Sequence, residues 1–383
     1  MGHVSNKSIA IIGAGAAGCF CAYCLLKKDP GIEITLFDKG APLRTLLPTG
    51  GGRCNLAHAE FDIKDLAKNY PRGEKFLYSI FSKFSTADTL EVFEDMGINT
   101  YVQENGRIFP ESNSAKDVRE TMLGKIRNVN IVKEEVHKIK PFENEFKIRT
   151  NKAEYLFSHV IIAIGGHAGL NLVNNLGLKI IEQKPSLVGL RAKEDFKDLS
   201  GTVIKGANYN GFIDDMLFTH FGVSGPLIYT ISSIKAFDKI PYILSLDLAP
   251  SLTDLQEELN NNPHKEIKNI LNKYLPQKFV SYVLKDLDET TKAHKVNGKV
   301  RDLILNKIHN FEIEITGTNK GEETVTAGGI DLNEINPKTM EIKNFPNLYA
   351  VGEVLNIDGF CGGFNLQNAW STAYICAENL VND

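Results

Sequence analysis

The chain has 383 residues, a net charge of −4, and 43% hydrophobic and 23% charged residues. This length exceeds one ordinary domain and predicts two or three lobes around a large core. The slight negative charge argues against a broad surface for nucleic acids or anionic membranes, and no apolar run is long enough to span a bilayer. The first residues have no signal-peptide pattern, so we expect a cytoplasmic protein with free thiols.

The N-terminal segment has the pattern of a βαβ unit. An apolar strand, Ser8–Ile12, is followed by the glycine turn GAGAAG, an apolar-periodic helix, and a second strand at 32–37 that ends at Asp38. Strand, turn, helix and strand within about thirty residues predict a nucleotide-binding fold. Cys21 and Cys24 form a CxxC pair inside the helix, and we interpret them as buried core thiols rather than a redox pair.

The glycines of this turn match the dinucleotide-binding fingerprint. Gly13 permits the tight turn, Gly15 lets a pyrophosphate approach the backbone, and Gly18 permits close packing of helix on strand. The helix N-terminus complements the phosphate charge. Asp38 has the spacing of the acid that bonds the adenosine ribose hydroxyls. Because an acid favours an unphosphorylated ribose, we expect FAD or NAD rather than NADP here.

The central part of the chain changes its pattern twice. Residues 64–96 and 115–126 have helical patterns, and 129–164 predicts an antiparallel meander leading into a buried strand. Beyond Pro185 we predict strands around a helical stretch at about 252–310, and then strands that return to the first lobe. These strands lie at 186–191, 202–209, 242–248, 311–316, 324–330 and 348–351. The pattern predicts a nucleotide-binding lobe made from both chain ends and interrupted by an inserted domain.

A triple-glycine loop follows the second strand and consists of Thr49, Gly50, Gly51, Gly52, Arg53, Cys54 and Asn55. Three glycines in a row give up side-chain packing and cost conformational entropy. We therefore favour a cofactor loop over a merely flexible one, with Arg53 and Asn55 placed to meet phosphates or a flavin edge. A buried strand that ends in Gly165 and Gly166 is a further candidate for close approach to a nucleotide.

The C-terminal stretch GEVLNIDGFCGGFNLQNAW contains a second glycine-rich loop before a helix at about 365–381. A helix N-terminus here would receive phosphate or the electron-rich edge of a reduced flavin. Glu353 and Asp358 are candidates to bond ribityl or ribose hydroxyls. An NAD-only fold has no need for this return of the chain, whereas FAD is long, so this stretch favours FAD.

The whole chain resembles the BaiN-like NAD(P)/FAD-dependent oxidoreductases, bacterial flavoproteins of the glutathione-reductase-like FAD superfamily. The matching stretches, in family order, are GAGAAG, GGGRCN, GRIFPESNSAKDV, PSLVGL, LFTHFGVSGP, TAGGIDLNEINPKTME and GEVLNIDGFCGGFNLQNAW. The resemblance implies an α/β fold with a Rossmann-like FAD-binding domain built from both chain ends, 1–184 and 321–383. An inserted β-rich, barrel-like domain, 185–320, would carry the helical subdomain.

The resemblance also implies FAD along the GAGAAG turn, Asp38, the triple-glycine loop and the C-terminal segment. The predicted cofactor-binding residues are Gly13, Gly15, Ala16, Ala17, Gly18, Asp38, Lys39, Thr49, Gly50, Gly51, Gly52, Arg53, Cys54, Asn55, Val136, Ala163, Gly165, Gly166, Gly352, Glu353, Asp358, Gly362, Gly363, Phe364, Asn365 and Gln367. The chain departs from the family after Ile164, where it is shorter. It also has Ala57-His58 where the family has a Thr-Asn pair.

The expected function is hydride transfer between FAD and a small organic substrate. NAD(P)H would act as a transient co-substrate, since no second GxGxxG unit is present. An NAD(P)H-linked reductase and an amine-type oxidase both remain open, as do the substrate and the oligomeric state. The catalytic candidates are Arg53, Arg107, His220 and Cys361, with Arg107 suited to a substrate carboxylate and Cys361 either a reactive thiol or a space-filling one.

Two other classes stay open. An FAD protein that modifies tRNA is one, although the charge balance makes a nucleic-acid partner unlikely. A non-catalytic flavin-binding redox sensor is the other. We expect no metal, because the Cys and His residues have no zinc-site spacing.

Overall fold

The structure is a computed structural model that describes residues 7–166, 170–288, 290–319 and 321–382. It contains two compact units, one made of Met1–Lys184 and Val325–Asp383 and the other of Pro185–Thr324. Lys320, where the predicted inserted domain ends, lies outside the described residues, as do 167–169 in the shortened stretch after Gly166.

The strands, in chain order, are β1 (Ser8–Ile12), β2 (Glu33–Phe37), β3 (Ala57–His58), β4 (Thr100–Val102), β5 (Arg107–Pro110), β6 (Asn130–Val132), β7 (Val136–Phe142), β8 (Glu145–Thr150), β9 (Glu154–Phe157), β10 (His159–Ile162), β11 (Ile180–Ser186), β12 (Leu190–Ala192), β13 (Val203–Tyr209), β14 (Phe212–Thr219), β15 (Gly222–Ser224), β16 (Tyr242–Leu246), β17 (Phe311–Thr318), β18 (Val325–Ile330) and β19 (Leu348–Ala350).

The α-helices are α1 (Ala16–Lys28), α2 (Ile63–Lys68), α3 (Glu74–Phe81), α4 (Thr86–Asp95), α5 (Ala115–Lys125), α6 (Leu170–Asn174), α7 (Pro226–Ile234), α8 (Leu255–Asn261), α9 (Ile267–Leu271), α10 (Gln277–Val283), α11 (Gly298–His309) and α12 (Phe364–Asn382). In the described part of the chain, no helix is both long and apolar enough to cross a membrane.

The first unit is built on a parallel sheet in the order β19-β10-β1-β2-β6. The central strands β1 and β10 are almost wholly buried runs of apolar residues, as expected for a parallel sheet covered on both faces. The C-terminal helix α12 packs on α1, where Trp370 is fully buried, lies 5.1 Å from the ring of Phe20 and donates to Leu56 O. Both chain ends therefore share one core.

The cysteines of α1 belong to this core. Cys21 and Cys24 are buried, and the pKa of Cys21 is raised by its hydrogen bond with Cys376 of α12 and by burial. Burial likewise raises the pKa of Cys24. These thiols therefore stay protonated and act as small apolar side chains, in agreement with the interpretation from the sequence.

A three-stranded antiparallel sheet, β7-β8-β9, packs beside the parallel sheet. Ile139, Phe146, Ile148 and Phe157 on its inner face are at most 8% exposed. Because side chains alternate along a strand, the intervening residues face outward.

The second unit contains an antiparallel sheet in the order β13-β14-β15-β12-β17-β16. Asn208 of β13 and Asp247, next to β16, exchange two backbone hydrogen bonds of 2.7 and 3.0 Å. This pairing joins the two edge strands and curls the sheet into the barrel-like form that the resemblance implies. Phe218, Phe279 and Phe311 pack in its core beneath the helices.

Two local predictions were wrong. The strand expected at 186–191 is split between β11 and β12, because Leu187 has a positive φ of 49° and Val188 N–H donates to Ser232 Oγ instead of to a strand. The segment 129–140 was expected to lie in the meander, but its first part forms β6 of the parallel sheet and only β7 joins the meander.

Candidate cofactor site

The GAGAAG turn is fixed by contacts between backbone atoms. Gly13 has a φ of 106° and donates from its N–H to Phe37 O at 2.8 Å. A Cβ on Gly13 would overlap Ala163 O, and one on Gly18 would overlap Gly13 O. Only glycine fits these two positions, which matches the roles expected from the fingerprint.

Room for a phosphate exists at the start of α1. A Cβ on Gly15 would meet its nearest neighbour, Thr45 Oγ1, only at 4.0 Å, and no side chain of the described residues caps the helix N-terminus. The loop containing Arg44 and Thr45 is drawn here by the bond from Leu43 N–H to Ala14 O at 2.7 Å. Arg44 and Thr45 were not among the predicted residues, but they place a cationic and a hydroxyl group near this turn, shortly after the second strand.

Asp38 is held at the end of β2 by two backbone donors. Its Oδ2 accepts from Ala14 N–H at 2.8 Å, and its Oδ1 accepts from Gly40 N–H at 2.7 Å. Because a carboxylate oxygen accepts more than one hydrogen bond, both oxygens can still bind ribose hydroxyls. Lys39 is exposed and pairs with Glu135 at 3.1 Å, directly before Val136, so these predicted residues lie at one edge of the sheet.

The triple-glycine loop forms a turn with positive φ values of 57°, 68° and 86° at Gly50, Gly51 and Gly52. A Cβ on Gly50 would lie 2.7 Å from the ring of Phe109, whereas one on Gly51 would meet nothing within 4 Å. The guanidinium of Arg53 lies over the same ring at 4.0 Å, and its Nε donates to Gly50 O at 3.3 Å. Arg53 therefore shapes the loop, and Gly51 leaves an open approach to it.

Beyond the glycines, Asn55 provides the strongest indication of a ligand. Its Oδ1 is buried and has no hydrogen-bond partner among the described residues. Buried acceptors are rarely left unsatisfied, so this oxygen fits a cofactor donor. Cys54 is different: it is buried with its N–H bonded to Thr49 O, and burial raises the pKa of its thiol to about 12. We assign Cys54 to the loop's packing.

The C-terminal segment lies directly against the N-terminus of α1. A Cβ on Gly352 would come within 2.8 Å of Ala17 Cβ, and Gly352 N–H donates to Thr372 Oγ1 at 2.9 Å. Glu353 Oε1 accepts from Thr326 N–H at 2.8 Å, and a Cβ on Gly166 would lie 2.6 Å from this carboxylate oxygen. The predicted loops from both chain ends therefore meet.

The loop before α12 is held by hydrogen bonds and by close backbone packing. Asn365 exchanges two hydrogen bonds of 2.9 Å with the backbone of Gly359, and the hydroxyl of buried Tyr70 donates to Phe364 O at 2.6 Å. A Cβ on Gly363 would overlap Ala57 O. These contacts hold the first turn of α12 against β3.

His58 also lies in this region, although in the sequence it was only a departure from the family pattern. Its Nδ1 lies 3.1 Å from Gly362 O, and its ring stacks on Phe364 at 4.6 Å. Since a carbonyl oxygen only accepts, Nδ1 carries the proton. Burial lowers the pKa of His58, Gly362 O opposes this shift, and the nearby charge of Arg107 lowers the pKa further.

Arg107 and Cys361 meet beside this histidine. Arg107 is the cross-strand neighbour of His58, and its Nη2 donates to Cys361 Sγ at 3.8 Å. Cys361 is partly exposed, in contrast to the other cysteines. A guanidinium, a thiol and an imidazole thus gather at the start of α12, and we call His58, Arg107 and Cys361 the triad.

Three predicted residues have other partners than those expected. The Asp358 carboxylate is buried in a bidentate ion pair with Arg72. Gln367 is fully buried, and its Nε2 donates to Thr89 Oγ1 and Ser371 Oγ at 2.8 and 2.9 Å. The ion pair favours a structural role for Asp358, whereas Gln367 Oε1 is buried without a hydrogen-bond partner among the described residues and stays a candidate for the cofactor. His220 is exposed at the β14–β15 turn of the second unit, beside Phe221.

The residues present fit FAD better than a metal. An open helix N-terminus, a fixed acid at the end of β2 and the orphan oxygen of Asn55 match the diphosphate, ribose and polar edge of this long cofactor. Asn356 and Asn368 of the C-terminal segment also have buried oxygens that lack a partner within the described ranges. Across those ranges, no group of three or more His, Cys, Asp or Glu side chains is placed to hold a metal ion.

Fold and site together define an FAD-dependent oxidoreductase with a Rossmann-like cofactor domain. The chain belongs to the HI0933-like family, whose Rossmann-domain model matches residues 7–379. It is 30% identical to the ribosomal RNA dihydrouridine synthase of Escherichia coli over 97% of each chain, and 26% identical to the 3-dehydro-bile acid delta(4,6)-reductase of Clostridium scindens over 97% of this chain and 98% of that protein.

A solved structure shares the fold at low identity. The 3-ketosteroid delta1-dehydrogenase of Sterolibacterium denitrificans superposes with a TM-score of 0.54 and 11% identity, over 99% of this chain and 100% of that one. The likeness to BaiN-like proteins and the FAD cofactor, both expected from the sequence, are confirmed.

Proposed function

We propose that this protein is an FAD-dependent reductase of a carbon–carbon double bond conjugated to a carbonyl, with NAD(P)H as electron donor. The names of the two relatives support this class, since both describe the addition of hydrogen to a carbon–carbon double bond. In a uracil ring, that bond is conjugated to the C4 carbonyl.

The triad is the observation that carries the proposal. The hydride would come from the reduced form of FAD held in the site described above. Arg107 orients the substrate by donating to its carbonyl oxygen and stabilises the negative charge that develops there. From the sequence, Arg107 was expected to bind a substrate carboxylate; here we propose that it binds a carbonyl oxygen instead. This role requires only the guanidinium that lies beside Cys361.

Addition across the double bond also needs a proton on the carbon next to the carbonyl. The Nδ1 proton of His58 faces Gly362 O, so His58 positions the loop and does not donate. The partly exposed thiol of Cys361 holds the proton, delivers it to the substrate carbon, and recovers it from solvent.

The test is an anaerobic two-step reaction of the FAD-loaded protein. We expect NADH or NADPH to bleach the flavin absorbance, and a conjugated enone to restore it, while the matching saturated ketone does not. Bleaching by an amine without NAD(P)H, or recovery only with oxygen, would instead identify an amine-type oxidase and refute the proposal.

A second, narrower candidate is that the substrate is a uracil base in ribosomal RNA. The similarity to the dihydrouridine synthase, 30% over 97% of both chains, favours it over a steroid substrate. Deleting the gene should remove dihydrouridine from ribosomal RNA, and restoring it should bring the modified base back, as measured by mass spectrometry of digested RNA. Unchanged dihydrouridine would exclude this substrate but not the reductase chemistry.

A further inference from the structure

The outer face of the β7-β8-β9 sheet carries four cations. Two triplets, KIK at 138–140 and KIR at 147–149, lie side by side with Lys138 opposite Arg149 and Lys140 opposite Lys147. The isoleucine in the middle of each triplet is buried in the core. Strand alternation therefore puts all four cations on the outward side, which we call the cationic face.

The cationic face also has an aromatic ring and a hollow. Phe142 is 42% exposed, and Lys147 Nζ lies 4.5 Å from the centre of its ring. A cavity of about 340 Å³ is lined by the four cations together with Pro141, Phe142 and Glu154. A base can stack on such an exposed ring while phosphates meet the cations.

The carboxylates on this face only partly balance the cations. Glu154 lies 3.9 Å from Lys147 Nζ and 4.0 Å from Arg149 Nε, and Glu145 stands opposite Phe142. Four cations against two carboxylates leave an excess of two positive charges in a chain whose net charge is −4. Like charges directly across a strand pair destabilise the sheet, so an anionic partner relieves a cost that the folded chain otherwise bears.

We propose that the cationic face binds the phosphate backbone of RNA. The proposal rests on the ribosomal-RNA candidate above and names the surface through which that substrate would be held. An RNA provides both groups that the face accommodates, phosphates for the cations and a base for Phe142. From the sequence, nucleic acid was expected to be an unlikely partner because the net charge is negative. A negative net charge does not exclude a local excess of positive charge such as this one.

Binding of a fluorescein-labelled, uridine-containing single-stranded RNA to the FAD-loaded protein tests this by fluorescence anisotropy over a salt series. We expect Lys140→Gln/Lys147→Gln to weaken binding about tenfold and to lower the slope of log affinity against log salt by roughly 1.4, about 0.7 for each lost phosphate contact. The matched control, Lys64→Gln/Lys83→Gln, changes two other exposed lysines of the same unit and should bind like wild type.

Three results would overturn the proposal: both double variants bind RNA with the affinity and salt slope of wild type, both bind it equally weakly, or the wild-type protein does not bind RNA. So would a result in which anionic phosphatidylglycerol vesicles, and not RNA, depend on Lys140 and Lys147. Flavin absorbance and NAD(P)H-dependent enone reduction, measured on the same samples, test the proposed function separately. Their absence in the wild-type protein would refute the proposed reductase, whereas the RNA-binding measurements alone decide the role of the cationic face.

Discussion

The GAGAAG turn and the loop 359–365 are both glycine-rich, but they are held in different ways. In the turn, backbone packs on backbone, and Gly13 leaves no room for a Cβ against Ala163. In the loop, side chains from distant elements hold the backbone, including Tyr70 and His58. The loop shares one such backbone contact, at Gly363 against Ala57 O, but it also distributes its stability over several side-chain hydrogen bonds that can be lost one at a time.

The largest effect should follow Gly13→Ala. The new methyl group overlaps Ala163 O at a φ of 106°, so the turn must move and the FAD site with it. We expect the purified variant to carry little flavin, measured by absorbance and by titration with FAD. Gly97→Ala is the matched control, since Gly97 has a φ of 89° but no atom within 4 Å of its Cβ position. Similar flavin loss in both variants would mean that backbone strain, not the contact, is decisive.

Arg107→Ala should leave the flavin bound but slow the oxidation of the reduced enzyme by an enone. Removing a donor to a developing oxyanion costs about 3 kcal/mol, or roughly a hundredfold in rate. Arg107→Lys should recover only part of this, since a lysine lacks the planar fork. Stopped-flow absorbance at a fixed enone concentration measures the rate. An unchanged rate in Arg107→Ala would remove Arg107 from the site.

Cys361→Ala should slow the same step, while Cys361→Ser, which keeps a proton donor, should slow it less. A role as proton donor also predicts that a solvent deuterium isotope effect on wild type disappears in Cys361→Ala. If the alanine variant keeps both the rate and the isotope effect, Cys361 only fills space beside Arg107.

Tyr70→Phe tests one of the side-chain hydrogen bonds that hold the loop 359–365. It deletes the buried hydrogen bond to Phe364 O, worth about 1 kcal/mol, and should lower Tm by roughly 2–4 °C. Flavin content should be retained, in contrast to Gly13→Ala. The control is Tyr78→Phe, because Tyr78 is 45% exposed. A loss of FAD in Tyr70→Phe would show that the loop is as intolerant as the turn.

The smallest effect concerns pH. Burial lowers the pKa of His58 in the folded protein, so the unfolded chain binds the proton more readily. The stability due to neutral His58 is therefore full above the ordinary imidazole pKa of about 6.5 and is lost as pH falls through the lowered folded value. The Tm of wild type should fall more than that of His58→Asn between pH 7 and 5, measured by thermal unfolding. Parallel curves would contradict this assignment.

Local patterns predicted the backbone-held part of the molecule well. The strand, the three glycines and Asp38 lie within one short segment, so their spacing alone defined the turn and the acid. The second apolar run, before Gly165, was also predicted as a buried strand, and the structure pairs it in parallel with β1. The family and the FAD domain built from both chain ends came from the resemblance of motifs spread over the whole chain.

Side-chain roles in the C-terminal segment were less predictable because their partners are far away in sequence. From its position in the sequence, Asp358 was expected to accept hydrogen bonds from cofactor hydroxyls. In the structure it forms an ion pair with Arg72, which lies 286 residues earlier. Gln367 forms a hydrogen bond with Thr89, 278 residues away, and His58 forms one with Gly362, 304 residues away. The alternation of KIK and KIR was visible in the sequence, but only the strand register put the cations on one face.

The burial of Trp370 against Leu56, 314 residues earlier, has a consequence for synthesis. A nascent chain exposes the GAGAAG turn to the cell long before the helix that completes its core has left the ribosome. The part of α1 that packs against α12 is uncovered throughout that interval. We therefore expect FAD to bind after translation, and a chaperone to be needed most while only the N-terminal half has emerged.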